Sequence, residues 1–268
     1  MRAAWILATA SAALLVEPAS AQTRGGFEVG PTLADYSYRE EIDGETIARD
    51  DGLMYGLTVG YTETLSSGWF LRLQAQGLSG DLDYEDDDGE RLENVSQTTG
   101  RAEFHLGRDF AVGRGRLTPF VGIGHRSLED ESGGRVTQGG LEGYNRDVEY
   151  RFVPVGVDAA LPIGGSTQLL VSAQVNFLAG GSATSRFSDV DPDFPDLKLK
   201  LRGGHGLRFS ALVQVPLGRS AVRFGPVFET WKVERSQSET FSDGGESLEF
   251  FEPANRTTMF GGMVSFAF

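Results

Sequence analysis

Residues 259–268 read Met-Phe-Gly-Gly-Met-Val-Ser-Phe-Ala-Phe. Phe260, Val264, Phe266 and Phe268 share one parity, and Met259, Gly261, Met263, Ser265 and Ala267 fall between them. Successive side chains of a strand point to opposite faces, so this segment is a strand with one bulky apolar face. The same period runs upstream. Leu53, Tyr55, Leu57, Val59 and Tyr61 alternate with Gly56, Thr58, Gly60 and Thr62. Trp69, Leu71, Leu73 and Ala75 alternate with Arg72, Gln74 and Gln76, and Leu169, Val171, Ala173, Val175 and Phe177 with Gln168, Ser172, Gln174 and Asn176.

Ten such segments follow one another, at 26–39, 52–65, 68–83, 96–111, 116–128, 146–161, 166–179, 198–216, 220–233 and 254–268. Tight Gly-rich turns near 66–68, 113–115, 164–166 and 218–219 alternate with long acidic loops near 40–51, 84–95, 129–145, 180–197 and 234–253. The expected fold is all-β: a ten-stranded antiparallel up-and-down transmembrane β-barrel, with short turns at one end and long loops at the other. A secreted β-sandwich would also alternate, but its polar face would meet bulk water. Here that face is rich in Gly, Gln and Arg, which suits a confined lumen. An alternating segment ending in Phe resembles the C-terminal signal of outer-membrane barrels. Phe260, Val264, Phe266 and Phe268 are therefore expected to present it to the barrel assembly machinery.

The N-terminus carries Arg2, an apolar run over 3–16 and then Ala19-Ser20-Ala21. That is the pattern of a signal peptide over 1–21, leaving 22–268 as one barrel domain. The expected location is a Gram-negative outer membrane, with termini and short turns in the periplasm and long loops outside.

Composition removes several classes of function. The chain has 268 residues, no Cys, 24 Lys and Arg against 38 Asp and Glu, and a formal net charge of −14. Without Cys there is no disulfide, thiolate zinc site, Fe–S cluster or thiol nucleophile. Nucleic-acid binding needs surplus cations, so it is not expected. Taken with their flanks as 39–51, 81–94, 127–146, 181–197 and 232–256, the five loops hold 28 of the 38 acids and 9 of the 24 basic residues. They read as solvated tips, or more sharply as sites of weak divalent-cation bridging to lipopolysaccharide or of contact with a basic partner.

The alternation assigns Glu28, Arg72, Arg101, Glu103, His105, Arg126, Asp158, Arg202, Arg208, Arg223 and Glu229 to the lumen. Charges in a narrow, weakly polar tube should pair with one another, because unpaired buried charge is expensive. The leading expectation is an ion-paired plug within a scaffold that presents its loops. The alternative is a narrow, anion-preferring channel in which Arg72, Arg202 and Arg223 set selectivity. Outward aromatics, Tyr55, Tyr61, Trp69, Phe104, Phe110, Phe224 and Phe228, are expected at the lipid headgroups. Segments of 14–16 residues exceed the roughly 9–11 needed to cross a bilayer, so the wall should project beyond it.

No catalytic, cofactor or metal set is expected. Reading a calcium loop back from Gly89 puts Tyr84 at position one and Val95 at position twelve, and Phe194 stands where the 189–193 series needs Gly. A carboxylate pair beside an acid–His dyad can activate water for peptide cleavage. Asp81, Asp83 and His205 are similar in placement to the residues of omptins, the ten-stranded outer-membrane proteases. Gly203 departs from that pattern, because the dyad's acid belongs there. Thr118–Arg126, Gly143–Arg146, Tyr150–Gly156 and Glu252–Thr258 resemble small proteobacterial outer-membrane β-barrel proteins, the porin family. That resemblance implies fold and location and brings no site residues with it.

Overall fold

The structure, a computed structural model, describes residues 25–268 apart from 66, 244 and 245; the expected signal peptide over 1–21 lies outside the described residues. Ten strands form the wall: β1 (Gly26–Ile42), β2 (Glu45–Thr64), β3 (Trp69–Asp86), β4 (Arg91–Arg108), β5 (Gly115–Asp130), β6 (Arg146–Gly164) and β7 (Thr167–Ser185), then β8 in two pieces (Leu197–Leu201 and Gly204–Leu217), β9 (Ser220–Val233) and β10 (Ala254–Ala267). Each pairs antiparallel with its neighbours, and β10 closes on β1.

The wall is staggered. Hydrogen-bonded partners lead from Phe27 to Tyr61, Leu73, Phe104 and, farther round, Val153, Phe177, His205, Lys232 and Arg256. The line meets β1 again at Arg39, twelve residues along from Phe27. Closing a sheet with such a shear tilts every strand, by roughly 35–45° in barrels of this kind.

Two expected loops are largely strand. The stretch over 40–51 folds back at a two-residue Asp43-Gly44 turn, both with positive φ (53° and 88°), which is the backbone an Asp-Gly pair adopts most readily in a hairpin. The stretch over 84–95 turns where the Asp86 carboxylate accepts the Asp88 and Glu90 amides at 3.1 and 2.8 Å. The wall therefore runs well beyond any bilayer.

Polarity changes sides part-way along the wall. Towards the short turns, Phe27, Val29, Leu33, Leu53, Tyr55, Leu57, Val59, Leu73, Phe104 and Ile123 are exposed on the outer face. Towards the loops the outer face carries Arg49, Asp51, Asp81, Asp83, Glu129 and Glu149, and the apolar side chains point inward. Tyr36, Tyr38, Met54, Leu78, Leu82, Leu128, Val148, Tyr150, Leu201 and Val233 form one buried cluster there. The switch has a simple cause: where the wall meets lipid it is apolar outside, and where it meets water it is built like a soluble barrel.

The loop end is tied together. Arg135 donates to the Asn94 and Glu93 carbonyls (3.0 and 2.5 Å), and the Gly139 amide donates to Glu90 (2.6 Å). A short helical turn at Phe187–Asp189 places Phe187 between Tyr144 and Phe250. Last comes a two-stranded hairpin, Glu239–Asp243 with Glu246–Phe250.

Candidate functional site: the barrel lumen

Nearest the short turns the lumen holds an open cavity of about 180 Å³. Arg72 pairs with Asp158 at 2.5 Å across it, linking β3 to β6. Arg223 pairs with Glu28 and donates to Gln214 at 2.8 Å, while Ser265 donates to the other Glu28 oxygen at 2.5 Å. These side chains remain about a sixth to a quarter exposed to the cavity, although one Asp158 oxygen is buried without a hydrogen-bond partner. This is a wet vestibule.

A belt of charge crosses the tube above it. Glu103 and Glu229 are its two carboxylates, with Arg101, Arg126 and Arg208 around them. Arg101 bridges both, bonding Glu229 and lying 3.5 Å from Glu103. Arg126 reaches Glu229 at 3.8 Å, and Arg208 reaches Glu103 at 3.7 Å. Neutral donors complete it: Gln174 to Glu103 at 3.1 Å, and the Trp231 indole to Glu229 at 2.7 Å. His105 lies 3.1 Å from Glu103 and stacks on Phe120. The side chains of Arg101, Glu103, Arg126 and Glu229 are at most 7% exposed. A desolvated carboxylate is tolerated only among such donors.

The apolar half of the interior begins above the belt. Arg126 is the hinge between the two, its guanidinium 5.5 Å from the Tyr150 ring and 5.7 Å from Trp231. Trp231 stacks on Tyr150 at 5.8 Å and meets Phe152 edge-on at 5.1 Å, and all three rings are buried. Over this core lies a polar cap. Arg146 binds Glu40, Glu252 and the Tyr38 hydroxyl, the last at 2.8 Å. Beside it Asp130 accepts from Gln97 at 2.9 Å, and Asp50 is buried with one oxygen unpartnered. The outward neighbours of Asp50 are Arg49 and Asp51, so this layer lies clear of the apolar girdle. Burial, reinforced by Asp130 and Glu40, pushes the Asp50 carboxyl up to about 8.

Ten of the eleven side chains expected in the lumen lie there; Arg202 does not. Between the two pieces of β8 the ladder breaks at Arg202 and Gly203, the phase shifts, and Arg202 is exposed. Phe260, Val264, Phe266 and Phe268 face outward as one row, and so does His125. The protease-like set does not assemble. Asp81 and Asp83 point outward from β3, and His205 points outward from β8 across the barrel. The acids of the loop end are less free than their composition implies, since Glu40, Glu90, Asp130, Asp189 and Glu252 all take donors from neighbouring segments. The apolar core itself was missed. Its signal lies in parity: on β3 the large apolar residues pass from odd positions (Leu71, Leu73) to even ones (Leu78, Leu82). Among the described residues, no three acidic or histidine side chains are placed to hold a metal ion.

The family described as the outer membrane protein beta-barrel domain matches residues 6–162, more than half of the chain. The chain belongs to that family. Among solved structures, this outer-membrane barrel is similar to the outer membrane protease OmpT of Escherichia coli. The two share 9% identity over 92% of this chain and 100% of that one, with a TM-score of 0.57. It also matches OprG of Pseudomonas aeruginosa (11% identity, 90% and 95% coverage, TM-score 0.37) and the translocator domain of the autotransporter NalP of Neisseria meningitidis (10%, 91% and 88%, 0.39). At such identities the likeness concerns fold alone. No curated protein matches the sequence.

Proposed function

We propose that this outer-membrane barrel is a non-conducting, non-enzymatic scaffold: a sealed tube holding a braced set of loops at the cell surface. Short turns and both ends of the wall face the periplasm, and the loops face outward. One observation carries the reading. The Arg101–Glu103–Glu229 belt and the Trp231–Tyr150 layer above it occupy the same cross-section in series, so a solute must displace a buried ion-pair network and then an apolar core. The partners this reading implies are outer-membrane lipid and lipopolysaccharide, the assembly machinery that receives β10, and weakly held divalent cations at the loops. The surface offered to envelope or external partners is the braced layer over 131–145, 186–196 and 234–253.

Conductance in a planar lipid bilayer tests it. Well-inserted protein is expected to give no current steps. Reproducible small steps with anion preference, altered by charge reversal at Arg72 and Arg223, would replace the scaffold with a channel. Deleting the hairpin over 239–250 tests the presenting role: a scaffold for surface contacts loses its envelope or binding phenotype with the hairpin while the barrel still folds.

A further inference from the structure

The loop-end belt of the outer wall is divided by charge. Over β2 to β6 it is acidic, with Asp51 opposite Asp83 and Glu129 opposite Asp147, and with Asp81 and Glu149 nearby. Over β8, β9, β10 and β1 the sign reverses. His205 is paired with Lys232, Lys232 with Arg256, and Arg256 with Arg39, all exposed on the outer face. Lys198, Lys200 and Arg202 extend the patch along β8.

Two features of this stripe point to a ligand. The first is its internal repulsion. Directly opposed residues on neighbouring strands have Cβ atoms about 4.5–5.5 Å apart, and like charges so placed are destabilising. Nearby acid offsets little of it: Arg256 has Glu41 at 3.9 Å, while Lys232 and Arg39 make no ion pair among the described residues. An anion lying along the row would remove the penalty.

The second feature is its height. Two rows nearer the short turns, β8, β9 and β10 present Phe209, Phe228 and Phe260, paired in register, and β1 presents Asp35 beside Phe260. The row between presents Leu207, Thr230, Thr258 and Ser37. Rows two residues apart are roughly 6–7 Å apart along a strand. Read outward, β9 and β10 offer aromatic rings, then hydroxyls, then cations. A phosphorylated lipid presents acyl chains, then its ester and sugar or glycerol oxygens, then phosphate, in the same order.

We propose that this stripe binds the phosphates of an anionic lipid of the outer leaflet, with Lys232, Arg256 and Arg39 as the charged contacts and the Thr230–Thr258 row beneath the linkage oxygens. The assignment rests on the outward placement of the loop end. Phosphate charge neutralised by fixed cations at an interface is a source of affinity that an apolar girdle alone lacks.

Native mass spectrometry of the detergent-purified barrel, titrated with diphosphoryl lipid A and with its dephosphorylated counterpart, tests the site. The phosphorylated lipid is expected to be retained at least tenfold more tightly. An Arg39→Gln, Lys232→Gln, Arg256→Gln triple variant should lose that preference while its unfolding midpoint, relieved of the like-charge repulsion, is no lower than the parent's. The control pair Arg49→Gln, Arg151→Gln, on the acidic arc, should keep it. If the triple variant does not fold, Lys232→Gln alone should weaken retention several-fold. Equal retention of both lipids, a triple variant that binds like the parent, or displacement of the lipid by millimolar inorganic phosphate would each overturn the proposal. Protease cleavage at 131–145 in intact cells reports the orientation separately, so a failure of the scaffold reading is distinguishable from a failure of this site.

Discussion

Leu73 and Leu82 sit on one strand, nine residues apart. Leu73 is 55% exposed on the outer wall, whereas Leu82 is fully buried inside it. The lower part of the barrel has an apolar exterior and a charged, wet interior; the upper part has a charged exterior and an apolar interior. One ladder of hydrogen bonds runs through both without interruption on β3 except for a register shift between Leu82 and Tyr84. The fold therefore does not dictate which face is apolar; the surrounding medium does. The two halves should respond differently to the same kinds of substitution.

The largest effects are expected where the halves meet. Trp231→Ala removes a stacked and an edge-on ring contact together with the donor to Glu229, in a site that cannot collapse. It should cost about 3–5 kcal/mol, read as the urea midpoint of the barrel in detergent or as its heat-modified gel shift. Glu229→Gln leaves Arg101, Arg126 and Arg208 sharing one carboxylate and should cost a similar ~3–5 kcal/mol. Should both variants unfold within 1 kcal/mol of the parent by that linear extrapolation, the upper tube is not the stabilising core.

Next comes a pair that tests the switch itself. Ile123→Arg puts a charge within the lipid-facing girdle and should cost about 2–4 kcal/mol in a bilayer. Asp81→Arg makes a larger charge change on the same outer face but beyond the girdle, and should stay within about 0.5 kcal/mol of the parent. Equal costs at the two positions would mean that lipid extends to the Asp81 level, and the comparison of halves would fail.

Much of the lower half was legible in the sequence because lipid and lumen impose period two strictly, as in Leu53 to Tyr61. Strand number, closure and ten of eleven lumen side chains followed from that period. The upper half was less legible for a physical reason. Above the girdle the hairpins that join β1 to β2 and β3 to β4 are rich in acids and turn tightly, so 40–51 and 84–95 carry the composition of loops while their backbone remains paired. Arg202 was misplaced because phase was carried across a Gly203–Gly204 break that resets it. The cross-strand cation row could not be read at all, since register between β8, β9, β10 and β1 depends on shear and not on any one segment.

A pH series sharpens the comparison at the cap. In the unfolded chain Asp50 ionises in the ordinary carboxylate range, whereas in the fold burial raises it to about 8. Between those values the unfolded state binds fewer protons, so stability falls as pH rises, and the loss is complete above the folded value. Asp50→Asn should flatten that slope and leave the variant more stable than the parent at pH 8 and above. The two unfolding midpoints, followed from pH 5 to 9, should therefore diverge with rising pH. Parallel curves would show that Asp50 is solvated in the folded protein.

The smallest effect is expected in the vestibule, although its ion pair is among the shortest in the molecule. Arg72 and Asp158 meet at 2.5 Å, but their side chains are 26% and 20% exposed to a cavity that opens at the short-turn end. Both side chains are partly exposed to the vestibule, and Gln can still donate to Asp158, so Arg72→Gln should cost less than about 1 kcal/mol. Glu229→Gln removes one charge from a nominally similar contact a few residues higher and should cost several times more. The difference lies in access to water, not in the length of the bond. If Arg72→Gln proved as damaging as Glu229→Gln, the vestibule would have to be dry, and the belt would be only one layer of a plug running the whole length of the tube.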